Sequence, residues 1–356
     1  MDIQHLELFG FFNVMVFTLL MLDLFVFHRK SHVVSVREAL IWTAFWIVLS
    51  LGLYVLIYFY YGDWVALEPG RTSQDAAHEF LAAYLIEKSL SVDNLFIFLI
   101  IFSRFRLPTA YQHKVLFWGI MGAIIMRVAF IFAGVELIHR FEWLMYIFGG
   151  FLIYTGFKLL KESEPEIDLE KNPFLQLARR IMPLTTEYSG GRFFARYNGV
   201  RHATPMFLVL ILVESTDLLF ALDSIPAVLG MSNDFLIIYS SNIMAILGLR
   251  SLYFALAGIM RYFRYLNIGL SVILIFIGLK MILAMDFLIE RGFGYKIDTH
   301  YSLLVVGSIL AVAILASVLN PLKKDEEGSL LPEPLPEQDP DAEPLPKPSE
   351  SAQVKN

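Results

Sequence analysis

The sequence contains no cysteine, which excludes disulfides, thiolate metal ligands and redox chemistry by the chain's own sulfur. Any metal it binds must meet oxygen or nitrogen. Charge is scarce too: 17% of the 356 residues are Asp, Glu, Lys or Arg and 57% are hydrophobic, where soluble domains hold about 25% and about 45–50%. With a mean hydropathy of +0.61, a chain this apolar is expected in a membrane. The eight His fall mostly at the ends of apolar runs, with no HExxH or similar spacing. No nucleophile, base and orienting group can be assembled from the motifs, so neither an enzyme nor a prosthetic group is expected.

The formal charge of −6 is concentrated at one place: nine Asp or Glu and four Lys follow Pro321, a balance of −5 that leaves −1 for the rest. Residues 321–356 are rich in proline and acid, too poor in apolar residues to form a core, and read as a disordered tether. Ballast and partner docking are both open roles for it.

Apolar stretches of about 17–25 residues suit a hydrocarbon core of about 30 Å. Nine such runs occur, at 6–28, 39–61, 78–103, 112–135, 143–160, 204–229, 234–258, 263–285 and 301–319, which predicts an all-α protein of about nine transmembrane helices. The first run is too long for a signal-peptide core and lacks a basic leader, so it is expected to stay as a span. Lys and Arg crowd the odd-numbered connections (Arg29, Lys30 and Arg37; Arg104, Arg106 and Lys114; Lys323 and Lys324), so the N-terminus is expected outside and the tail in the cytoplasm.

The chain divides into two N-terminal spans (1–77), a three-span unit (78–160), a connection (161–203), a second three-span unit (204–285), a final span (286–320) and the tail. Within 161–203, Asn172-Pro173 predicts the start of an interfacial helix near lipid phosphates, and this loop and the tail are the candidate contacts for a protein partner. No nucleic-acid partner is expected.

The two three-span units repeat. EKSLSVDNLFIF (87–98) aligns with DLLFALDSIPAV (217–228), IMGAIIMR (120–127) with IMAILGLR (243–250), and Gly156-x-Lys158 with Gly278-x-Lys280. An odd number of spans per copy makes the second copy enter the membrane in the opposite sense. Inverted repeats of this kind build many secondary transporters, with the site where the copies meet.

Carboxylates in apolar spans are costly and are normally paired or functional. Glu87, Asp93, Glu214, Asp217 and Asp223 all fall in predicted spans. With Asn94 and Ser224 beside them they form a candidate site for a hard or borderline divalent cation, Mn²⁺, Mg²⁺ or Ca²⁺. Protons would compete for the same oxygens, which makes proton exchange chemically natural. Residues six apart on a helix stand roughly 120° apart around its axis, so Asp217 and Asp223 converge only if the helix is interrupted. Pro226, which strips the Leu222 carbonyl of its amide partner, predicts that break. The competing reading is a structural salt-bridge lattice with Lys88, Arg127, Lys158, Arg250 and Lys280. Lys88 could stand in for a cation, Asp23 could add a ligand, and Asn242 could ligate or bridge helices.

These segments resemble the TerC family of integral membrane proteins, in its longer Alx-like branch, from about Leu19 to Asn320. EKSLSVDNLFIF and VESTDLLFALDSIPAV look like its two signature segments. The resemblance implies a lysine-exporter-like transporter with inverted repeats in the bacterial cytoplasmic membrane. It also implies manganese efflux, with Glu87, Asp93, Glu214, Asp217 and Asp223 as the functional acids. A non-transporting scaffold or stress modulator is the alternative.

Overall fold

The computed structural model describes residues 3–25, 35–67, 70–141, 143–161, 200–259, 265–284 and 286–320, together with parts of 174–197. The tail after Asn320 lies outside the described residues, as do the side chains of Asp23 and Asp93. Eleven helices are described: α1 (Ile3–Phe25), α2 (Val36–Trp64), α3 (Ser73–Arg104), α4 (Thr109–Arg140), α5 (Leu144–Lys161), α6 (Pro205–Leu229), α7 (Phe235–Leu247), α8 (Leu249–Ile259), α9 (Leu266–Leu283), α10 (Asp286–Glu290) and α11 (Thr299–Leu319).

Local chemistry sets where these helices start. Ser35 caps α2, its hydroxyl accepting from the Glu38 N–H at 3.2 Å, and Thr72 with Asp75 forms a reciprocal capping box on α3. Pro205 opens α6, Asp234 caps α7 and Asp298 caps α11. Each of these residues satisfies, or in the case of proline removes, an amide that would otherwise lack a partner.

Six of the described helices are long and apolar enough to cross a membrane, or seven if the bent pair α7–α8 is one span. The expected nine is not reached by this measure, and the shortfall has a physical origin. At 32 residues α3 is long enough, but Glu79, Glu87, Lys88 and Asp93 load it with ionisable groups. The apolar stretch described within α1 is short, Glu7–Leu19.

The all-α expectation also needs correction. Strands β1 (Phe194–Tyr197) and β2 (Val200–Ala203) form an antiparallel hairpin in which Phe194 pairs with Ala203 and Arg196 with Arg201. The hairpin leans on α6 through the Phe194 and Phe207 rings, 4.7 Å apart. The Thr204 hydroxyl ties the turn into α6 by donating to the Arg192 carbonyl at 2.7 Å. Of the expected interfacial helix, Phe174, Gln176 and Leu177 are helical and exposed, and the remainder of that segment lies outside the described residues.

The predicted break at Pro226 does not occur: α6 is one helix from Pro205 to Leu229. The helix need run only one turn past the proline, and Pro226, Ala227 and Val228 are buried where neighbouring helices hold them. The interruption falls instead at Gly248, where α7 and α8 meet at 42°.

The helices of 73–161 and those of 205–283 interleave. The first helix of each packs on the second helix of the other, α3 on α7 and α6 on α4, while the third helices α5 and α9 pack on each other. That last contact is reciprocal in atomic detail. A β-carbon placed on Gly278 would meet the Gly149 carbonyl at 2.5 Å and Ile153 Cγ1 at 2.8 Å; one on Gly156 would meet the Ser271 carbonyl at 2.8 Å and Ile275 Cγ1 at 2.7 Å. Glycine lets two backbones touch where lipid supplies no hydrophobic drive to bring helices together. Helix α2 lies against α3 and α8, and α11 covers α3 and α9.

Candidate functional site

Arg127 of α4 is the hub of the core. Its guanidinium is 1% exposed and pairs with the fully buried Glu87 of α3. It donates to Asn242 Oδ1 of α7 at 3.0 Å, reaches the Ser224 hydroxyl of α6 at 3.4 Å, and lies 3.5 Å from Asp217 Oδ1. Asn242 is itself oriented by donating from Nδ2 to the Ile238 carbonyl at 3.0 Å. One half of the repeat thus supplies Glu87 and Arg127, and the other supplies Asp217, Ser224 and Asn242.

The unbroken α6 decides which acids gather. Residues seven apart return to nearly the same face, so Ser224 joins Asp217 at Arg127, while the six-residue offset turns Asp223 away by roughly 120°. Asp223 accepts from the Thr155 hydroxyl of α5 at 3.3 Å, with Lys158 in its electrostatic surroundings. Glu214 is a third case: its carboxylate lies against the α-carbon of Gly122 on α4, where a β-carbon would collide with it. The half-buried Lys88 ammonium donates to the Ala245 carbonyl of α7 at 3.1 Å, close to the break at Gly248. Asn94 is buried.

Among the described residues, no three of His, Asp or Glu gather as a metal-binding group. Glu87 and Asp217 share an arginine, Glu214 lies three residues before Asp217 and within its electrostatic reach, and Asp223 stands apart from them. Sequence reasoning named Arg127 as a pairing residue but left it off the site, together with Ser91 and Thr155. An arginine at mid-span in an apolar helix was the available signal, as was Ser91 one turn from Glu87 and therefore on its face.

Several buried atoms at this centre have no hydrogen-bond partner among the described residues: Glu87 Oε2, Asp217 Oδ2, Ser91 Oγ and Arg127 Nε. A cavity of about 10 Å³, with Ser91, Arg127 and Asp217 in its wall, adjoins them. That is room for roughly one water molecule.

A second polar network closes the opposite end of the bundle from the hairpin. Arg71 bridges Glu79 at 2.7 Å and Asp234 at 2.9 Å, the Tyr61 hydroxyl donates to Asp234 at 2.7 Å, and Ser232 donates to Glu79 at 2.6 Å. Burial works against the charge on Arg71, but Glu79 and Asp234 outweigh it and raise its pKa. This network ties α2, α3 and the α6–α7 turn together.

Fold and site define a multi-pass helical membrane protein with a buried, arginine-centred acid cluster contributed by both halves of the chain. The chain belongs to the TerC family: the model described as "Integral membrane protein TerC family" matches residues 72–325. It is 46% identical over 308 residues to an uncharacterized membrane protein, STKORF319, of Myxococcus xanthus, covering 86% of this chain and 91% of that one. Relatives named Alx, described as candidate membrane-bound redox modulators, are 42% identical over 309 residues in Salmonella typhi (86% and 92% of the two chains) and 40% identical over 321 residues in Escherichia coli K12 (90% and 97%). No solved structure matches the chain.

Proposed function

We propose that this chain is a secondary transporter that carries a divalent cation, manganese foremost, out of the cytoplasm in exchange for protons. The observation that carries the reading is the meeting of Glu87 and Asp217, matching positions of the two repeats, at one buried centre with unpartnered oxygens. Intramembrane acids that are incompletely paired are expensive to keep and mark ion pathways. The reciprocal α5–α9 contact supports an inverted repeat, in which Gly149 corresponds to Ser271, Ile153 to Ile275 and Gly156 to Gly278.

In this reading α1 and α3 complete nine spans, the chain begins outside and ends in the cytoplasm, and the membrane is the bacterial inner membrane. Glu87, Asp217, Asp223, Glu214 and Asp93 line successive positions on the cation's route, with Asn94, Ser224 and Asn242 as neutral oxygen donors. Lys88 and Asp23 are accessory.

The test is Mn²⁺ flux into vesicles reconstituted with native protein, Glu87→Gln or Asp217→Asn. Both variants are expected to lose most transport, and unaltered flux in both would remove the site. Flux indifferent to an imposed pH gradient would remove the proton exchange.

The names of the Alx relatives favour a second reading, a redox or metal-stress modulator that works without transport, docking a partner through the 161–203 connection or the tail. With no cysteine in the chain, such a role would pass through a bound metal or a partner. Native protein that moves no metal at all would select this reading.

A further inference from the structure

We infer that Arg127 is a tethered stand-in for the cargo: its guanidinium holds the Glu87–Asp217 carboxylates while no cation is bound and withdraws when a divalent cation takes their oxygens. This rests on the reading of the site as a cation pathway. It differs from a fixed structural ion pair in three respects.

The first is charge. Among the described residues the Glu87 and Asp217 carboxylates face one guanidinium, Glu214 adds a further carboxylate within electrostatic reach of Asp217, and the nearby Lys88 ammonium donates to the Ala245 carbonyl, so acids outnumber the cation at Arg127. A dication alone would balance the two carboxylates, whereas a dication together with the guanidinium would overshoot. The two cations are therefore mutually exclusive at low dielectric.

The second is satisfaction. A buried ion pair retained for stability has its remaining lone pairs and protons hydrogen-bonded, because each bare one is costly. Among the described residues Glu87 Oε2 and Asp217 Oδ2 are each without a hydrogen-bond partner, as are Arg127 Nε and the hydroxyl of Ser91, one turn from Glu87. The free oxygens are of the kind a hard dication seeks.

The third is room. The cavity beside Arg127 runs along α4 past Ala123 and Gly119, residues one and two turns from it. At Gly119 the Val213 side chain fills the place of a β-carbon, so the space beside the arginine's long, flexible stem is the water-sized cavity next to Ala123.

The test measures Mn²⁺ binding to the purified full chain in detergent, for native protein, Arg127→Gln and Arg127→Lys, by free-Mn²⁺ electron paramagnetic resonance, with thermal unfolding in parallel. An arginine that leaves the carboxylates about 1–10% of the time weakens the cation's apparent affinity by about tenfold to a hundredfold. Arg127→Gln is expected to bind Mn²⁺ tighter by that factor and to gain more thermal stability from saturating Mn²⁺ than native protein does. If native protein binds Mn²⁺ and folded Arg127→Gln binds it no tighter, Arg127 is a fixed structural partner and the inference fails while the transport reading stands. If native protein and both variants bind none, the transport reading itself falls. Should Arg127→Gln fail to fold, Arg127→Lys carries the test: its ammonium lacks the fork that presents Nη1 to Glu87 and Nη2 to Asp217 and holds the pair less firmly, so it is expected to bind Mn²⁺ several-fold tighter than native, and unchanged affinity would overturn the inference.

Discussion

Replacing Gly278 by alanine tests the contact that joins the two halves. The added β-carbon would sit 2.5 Å from the Gly149 carbonyl and 2.8 Å from Ile153 Cγ1. A backbone carbonyl cannot step aside as the end of a side chain can, so α5 and α9 must separate. Overpacking of this kind costs about 1–3 kcal/mol. The change also improves helix propensity by about 1 kcal/mol, which partly masks the clash. Gly150→Ala on α5 supplies the control, because a β-carbon there meets nothing within 4 Å. The propensity gain is common to both, so the difference between the variants, about 1–3 kcal/mol, isolates the contact. Thermal unfolding of each purified variant in detergent reads it, and Gly156→Ala should match Gly278→Ala because its surroundings are the same atoms in reciprocal places. Gly278→Ala unfolding at or above the temperature of Gly150→Ala would refute the reasoning.

Asp234→Ala removes the cap of α7, the acceptor for Tyr61 and one partner of Arg71 at once. It should cost about 2–4 kcal/mol, against about 1 for Tyr61→Phe, by the same unfolding measurement. Tyr188 donates to the Phe105 carbonyl at 2.6 Å, and burial pushes its pKa up from 10.0 to about 12. The folded state keeps this phenol neutral, so its contribution to stability is fully present below pH 10 and is lost as pH rises through about 12. The difference in tyrosinate absorbance between native protein and Tyr188→Phe should show one transition near 12, and a difference centred near 10 would contradict the burial argument. Gly122→Ala should leave the fold intact, because the obstructing atoms are the tip of the Glu214 side chain. Under the proposed function it should also change Mn²⁺ flux by displacing that carboxylate, and native rates in vesicles would show that Glu214 has no part in the route.

The helices were legible because length and apolarity are properties of each segment alone, and α2, α4, α5, α6, α9 and α11 follow the predicted runs closely. The matching segments 87–98 and 217–228 were legible because they are written in the sequence itself. What escaped depends on partners distant in sequence. Pro226 announces a break, but packing around residues 226–228 decides whether the helix yields, and the yielding point is Gly248, a glycine with no proline to advertise it. The hairpin was missed although Asn198-Gly199, between the short segments FFARY and VRHA, is a two-residue turn signal. For the site, acid positions were readable and acid neighbours were not. Helix geometry correctly implied that Asp217 and Asp223 part company on an unbroken helix, but only the packing of α4 and α5 shows that one meets Arg127 and the other Thr155. The Arg71–Asp234 bridge joins residues 163 apart through two loops that carry no periodicity.

The charge on α3 has a consequence for how the chain is made. A helix carrying Glu79, Glu87, Lys88 and Asp93 is a weak insertion signal on its own, since each ionised residue near the centre of a span costs a few kcal/mol on insertion scales. Glu87 and Arg127 are 40 residues apart and belong to consecutive helices. The neutralising partner of Glu87 therefore leaves the ribosome with the very next span, and α3 can enter the bilayer followed at once by the charge that offsets Glu87. Asp217, Ser224 and Asn242 are synthesised about ninety or more residues after Arg127 and join a pair that is already buried.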